Sequence, residues 1–160
     1  MLALFRALTY AALFIGFFLV FVPQRILHAT GIVRPQWIGP AQIAGLELVA
    51  LGGALALWCV MMFALVGKGT PAPFDPPRQL VIAGPYRRVR NPMYIGAGLV
   101  LVGTALFYQA EALGAFAAGF WVVAHAFVVL YEEPTLERTF GTPYADYRNA
   151  VHRWVPRWRS

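Results

Sequence analysis

Polar and apolar positions alternate along this chain in blocks. Four long stretches carry almost no charge, at about 7–22, 43–66, 92–110 and 112–131, and the charged side chains gather in the gaps between them. In the second block, residues 48–67 form an uncharged run of 20. At ~1.5 Å rise per residue such a helix covers roughly 30 Å, the depth of one hydrocarbon core. The first block lies between Arg6 and Pro23 and is short for a span. Its positive start and apolar middle also fit a signal peptide, but no small-x-small cleavage site follows, so a retained helix is expected. Only Gln109 and Glu111 break the apolar sequence between the third and fourth blocks, which predicts a tight helical hairpin. The pattern therefore predicts an all-α, polytopic membrane protein with about four transmembrane helices and a cytoplasmic C-terminal amphipathic helix.

Composition supports that reading. Hydrophobic residues make up 59% of the 160 and charged residues only 12%, too apolar a balance for a soluble domain of this size. Of 13 Lys and Arg residues, 11 fall in the N-terminus, the proline-rich loop 68–91 and the tail from 134 onward, while only Arg25 and Arg34 fall between the first two blocks. The positive-inside rule then makes both termini and the loop cytoplasmic, in a multi-pass protein of the cytoplasmic membrane. The net charge of +6 is accounted for by arginines beside apolar spans, so the expected partner is the membrane surface and not nucleic acid. Cys59 is the single cysteine, which removes a disulfide or thiolate cluster; His28 and His152 are too far from His125 to suggest a metal site, and none is expected.

Topology explains the arginines of "GPYRRVRNPMYIG", residues 84–96, without any further role. Three other features point beyond topology. The loop before it has five prolines between Pro71 and Pro85, and its apolar "LVIAG" favours packing against the protein over disorder. Glu132 and Glu133 stand side by side at the expected C-terminal end of the fourth span, where the helix dipole disfavours both. Either they point into water or they take cationic partners from the arginine-rich segment. His125 lies seven residues before Glu132; polar packing and a functional role both fit a histidine inside a span. Finally, "GTPYADYRNAVHRWVPRW" reads as a helix with Thr142 as N-cap and Pro143 in its first turn. Tyr144, Tyr147, Val151 and Trp154 recur on one face, as in an interfacial helix with aromatics at headgroup level.

"GPYRRVRNPMYIG" followed by "EEPTLERTFGTPYADYRNAVHRWVPRW" resembles the C-terminal half of the isoprenylcysteine carboxyl methyltransferase and phospholipid methyltransferase superfamily, membrane enzymes that use S-adenosylmethionine. The likeness covers about residues 70–158. Arg90-Asn91-Pro92-Met93-Tyr94 is similar to the phospholipid N-methyltransferase form of the first motif, with Asn91 where prenylcysteine enzymes have His.

The resemblance implies a methyltransferase acting on a lipophilic or membrane-embedded carboxylate, amine, thiol or phenol. It implies S-adenosylmethionine as cofactor, with Tyr86, Arg88, Arg90, Asn91, Tyr94, Gly96, Gly98, His125, Glu132 and Glu133 as candidate binding residues. The carboxylates suit ribose hydroxyls or an ammonium group, Arg88 or Arg90 the cofactor carboxylate, and Tyr86 and Tyr94 flat contacts. Gly96 and Gly98 suit either close ligand approach or helix packing. Glu132, Arg148 and Arg153 are the catalytic candidates, the arginines orienting an acceptor carboxylate or binding lipid phosphate. An NADPH-dependent membrane reductase of sterol-reductase type and a non-catalytic scaffold or transport subunit are the competing readings.

Overall fold

A computed structural model describes residues 13, 15–67 and 79–156, and among these the regular structure is entirely helical. The outer parts of three expectations lie outside the described residues: the start of the first span, the first half of the proline-rich loop, and the last four residues of the tail.

The first helix does not stop at Pro23. A π-helical run, Ile15–Phe21, leads directly into α1, Val22–Thr30, which ends where Gly31 adopts φ +68°. Proline inside a helix lacks a donor and crowds the carbonyl four residues back, and the widened turn just upstream makes room for it. The fourth apolar block repeats the device. Helix α4, Glu111–Phe127, passes through a π turn at Val128–Glu132 into α5, Glu133–Phe140, with Pro134 two residues beyond the wide turn. Glu132 and Glu133 therefore do not sit at a helix C-terminus, and the dipole penalty expected there is absent.

Helix α2, Pro40–Met62, continues as a π turn to Gly67; α3 is Pro92–Tyr108. Against the four spans expected, two helical stretches among the described residues, Pro40–Gly67 and Glu111–Phe140, are long and apolar enough to cross a membrane, while α3 is apolar but shorter. Leu51, Leu57, Leu65, Val122, Val123 and Leu130 point outward from the two long stretches. Together these are the marks of a membrane protein, with apolar surface where a soluble helix would carry charge.

Glycine governs how α2 meets α3. A Cβ on Gly45 would lie 2.7 Å from the Gly103 carbonyl oxygen, and one on Gly52 would lie 2.5 Å from that of Gly96. The order of the pairs shows that the two helices run antiparallel, with backbones in contact at two points on one face. Between α3 and α4 the chain turns through Gln109, at φ +49°, and Ala110, so the hairpin is as tight as the sequence pattern predicts. Ala97 and Leu101 on α3 pack with Ala117, Phe120 and Ala124 on α4, and Leu19 of the first helix closes that core.

The segment before α3 folds back on the bundle. A short 3-10 turn, Gly84–Arg87, is buried through Tyr86, which packs with Cys59 and Val81. The tail helix α6, Thr142–Ala150, follows α5 after Gly141. Thr142 is its first residue and makes no capping bond, contrary to its expected N-cap role; the left-handed turn at Gly141 starts the helix instead. Its Tyr144 and Tyr147 are buried with Val151 against Leu80, Leu136 and Phe140, so the aromatic face meets protein and not headgroups.

Candidate active site

Helix α6 ends at Val151, whose backbone is extended, and residues 151–156 cross the bundle as an irregular strap. Val151 and Trp154, expected on the helical face of Tyr144 and Tyr147, lie beyond the helix. The reason is long-range hydrogen bonding: the Arg90 amide donates to the His152 carbonyl at 2.9 Å, and Asn91 Nδ2 donates to the Arg153 carbonyl at 3.3 Å. These bonds draw the strap across the start of α3. Beside them the Tyr147 hydroxyl donates to the Tyr86 carbonyl at 2.6 Å.

The adjacent glutamates are sent to different partners. Successive residues on a helix point roughly 100° apart, so one pair can serve two neighbours. Glu132 accepts the Tyr94 hydroxyl at 2.9 Å. Glu133, buried, accepts Arg153 Nε at 2.7 Å on Oε1 and Arg153 Nη2 at 2.9 Å on Oε2, a bidentate clasp. Arg90 Nη1 adds a third contact to Oε1 at 3.0 Å and also points to the Tyr144 hydroxyl at 3.4 Å. Two guanidinium groups thus balance one buried carboxylate, as burial of a charge requires. One donor is left over: Arg90 Nε is buried and has no hydrogen-bond partner among the described residues.

An aromatic group adjoins this polar cluster. Trp154 meets Tyr94 edge to face at 6.4 Å between centroids and Trp121 at 5.3 Å, and its indole N–H donates to His125 Nδ1 at 3.1 Å. Burial raises the phenol pKa values of Tyr86, Tyr144 and Tyr147 above the ordinary range, so all three keep their protons. Hydrogen bonding to Glu133 raises the pKa of Arg153 and keeps its charge secure.

Arg90, Asn91, Tyr94, Glu132, Glu133 and Arg153 thus come together in one network, and His125 joins it through Trp154. The other candidates are placed elsewhere. Arg148 pairs with Glu137 at 2.8 Å on an exposed surface, and Arg88 is exposed at the end of the 3-10 turn. The ring of Tyr86 is enclosed by Cys59, Val81 and Phe63 and offers no free face. Gly96 lies against the α2 backbone, and a Cβ on Gly98 would fall 2.6 Å from the Trp121 ring, so both glycines serve helix packing. Arg153, read from sequence as an acceptor-binding group, has its fork filled by Glu133. Nothing in the sequence marked out Trp121, and Trp154, expected on the helical face, lies in the strap beyond the helix. An indole N–H is donor-only, and that was the one signal that Trp154 needs a polar partner. Among the described residues no three His, Cys, Asp or Glu side chains gather as a metal site.

A family model described as phospholipid methyltransferase matches residues 40–143, which is 104 of 160 residues and spans α2 through the start of α6. No curated protein and no solved structure gives a match.

Proposed function

The chain belongs to the phospholipid methyltransferase family, within the superfamily that also holds the isoprenylcysteine carboxyl methyltransferases, and from that membership we propose that it is an S-adenosylmethionine-dependent methyltransferase acting on a lipophilic acceptor at the cytoplasmic face of the membrane. The observation that carries the reading is the network joining Arg90, Asn91 and Tyr94 to Glu132 and Glu133. It unites the two sequence motifs on which the resemblance rests.

The residues fit the cofactor. The unpartnered Arg90 Nε is a buried donor suited to a carboxylate such as that of the cofactor's amino acid end. Glu132, engaged by one hydroxyl, is the carboxylate suited to ribose hydroxyls or an ammonium group. When bound, the cofactor supplies a methyl carbon on a sulfonium: the acceptor's lone pair forms the new bond while the carbon–sulfur pair stays with sulfur. The chain's own part is to bind, orient and exclude water. Tyr94 fixes the Glu132 carboxylate, and Arg153 and Arg90 fix that of Glu133, so neither has to reorganise during transfer. The aromatic group at Trp121 and Trp154 supplies apolar wall beside them. Arg153 takes the role of a positioning residue, not that of a contact to the acceptor.

A lipid-like acceptor agrees with the family and with the outward apolar surface of α2 and α4. The test is incubation of membranes holding the protein with methyl-labelled S-adenosylmethionine, followed by identification of the labelled species. Transfer of label to a lipid or other lipophilic molecule, lost in Glu132→Gln, is expected. Absence of saturable S-adenosylmethionine binding by the purified protein would sink the reading.

A further inference from the structure

His125 lies in the last turn of α4, about two helical turns before Glu132, and its position is tied to that of the glutamates. It accepts the Trp154 indole N–H at Nδ1, 3.1 Å away. Because an indole N–H only donates, that nitrogen must be unprotonated, and the neutral ring carries its proton on Nε2. Trp154 in turn rests its ring edge to face on Tyr94, and Tyr94 donates to Glu132. Its chain neighbour Arg153 clasps Glu133. Two consecutive strap residues therefore secure two consecutive glutamates, Arg153 by direct contact and Trp154 through the phenol of Tyr94. Arg153 is anchored at its backbone as well, through the bond from Asn91. For the Trp154 side chain, the hydrogen bond to His125 is what fixes the angle of the indole in its plane.

We propose that His125 is a positioning residue for the methyl-transfer site: by holding the Trp154 indole at Nδ1 it sets the orientation of Tyr94 and so of the Glu132 carboxylate. The assignment rests on the methyltransferase reading above. It does not make His125 a ligand of the cofactor. Trp154 lies beyond the 40–143 stretch that the family model matches, so this tether joins the shared core to a segment outside it.

The stereochemistry of the imidazole supplies the test. In His125→Asn the amide Oδ1 stands where Nδ1 stood and can accept the same N–H; in His125→Phe a ring remains without an acceptor. Trp154→Phe removes the donor and keeps an aromatic ring. Binding of S-adenosylmethionine is measured on the full-length protein in nanodiscs, well below the melting temperature, and melting is followed separately. A neutral hydrogen bond predicts a three- to tenfold weaker affinity, roughly, in His125→Phe and in Trp154→Phe. Near-recovery in His125→Asn is expected, with no further loss when Phe stands at both 125 and 154.

Wild-type affinity in His125→Phe, even with a lower melting temperature, would show a purely structural tether and overturn the assignment. So would an Asn variant as weak as the Phe variant, or additive losses in the double variant. If His125→Phe does not fold, Trp154→Phe against wild type carries the same comparison. Failure of the wild type itself to bind S-adenosylmethionine would remove the functional reading, and this assignment with it.

Discussion

Arg153 closes on Glu133 with both edges of its fork, Nε to Oε1 at 2.7 Å and Nη2 to Oε2 at 2.9 Å, across 20 residues of chain. Planar bidentate pairing of this kind fixes direction as well as distance. It holds the strap over the wide turn at Val128–Glu132, and it makes an arginine that has the sequence context of a lipid anchor part of the site's framework.

Arg153→Met should loosen the strap, leaving Glu133 with Arg90 alone. A lost charged hydrogen bond predicts a destabilisation of about 1.5–3 kcal/mol, measured by thermal unfolding in detergent. Arg153→Lys should recover only part of this, since an ammonium cannot reproduce the fork. Equal stability of Met and wild-type proteins would show that the clasp contributes nothing.

Tyr94→Phe removes the hydroxyl that Glu132 accepts and leaves the ring against Trp154. The expected loss of stability is about 1 kcal/mol. The larger effect is expected in S-adenosylmethionine affinity, because Glu132 loses its fixed direction. Calorimetric titration checks this, and unchanged affinity would separate the pair from the cofactor site.

The two glycine contacts between α2 and α3 leave no room for a methyl group. Gly52→Ala and Gly96→Ala should each cost about 1–3 kcal/mol, because the atoms in the way are backbone. Gly53→Ala is the control: no atom lies within 4 Å of the place its new methyl would take, and a gain of about 0.5–1 kcal/mol is expected from the lower freedom of the unfolded chain. Melting temperatures of the three variants, measured side by side, decide the matter.

Burial raises the Tyr147 phenol above its ordinary value of about 10 while its proton is held on the Tyr86 carbonyl. A pKa raised on folding means that the stabilisation is complete below pH ~10 and is lost as pH rises beyond that value through the higher folded pKa. Tyr147→Phe should therefore be less stable than wild type by about 1–2 kcal/mol near neutrality, and its stability should fall less steeply above pH ~10. Denaturation followed from pH 8 upward tests both parts; parallel curves for the two proteins would contradict them.

The sequence alone determined the features that depend on local composition. Apolar blocks of helical length and the break at Gln109 to Glu111 were enough to give the all-helical regular structure of the described residues and the hairpin, because hydrophobic burial is written residue by residue. Of the four spans expected, two helical stretches among the described residues are long and apolar enough to cross a membrane. The two motifs, at residues 84–96 and from Glu132 onward, were also legible as belonging together. Only the tertiary structure decided what each polar side chain does. Helices run on through Pro23 and Pro134 because wide turns accommodate the ring, which no propensity for proline foretells. Trp154 leaves the helical face because the carbonyls of His152 and Arg153 are taken by Arg90 and Asn91, with 62 positions separating Asn91 from Arg153. Gly96 and Gly98 were open between ligand approach and packing until the atoms opposite them were known. Glu132 and Glu133 are neighbours with the same chemistry; their separate partners follow from the turn of the helix and from what the fold brings to each side.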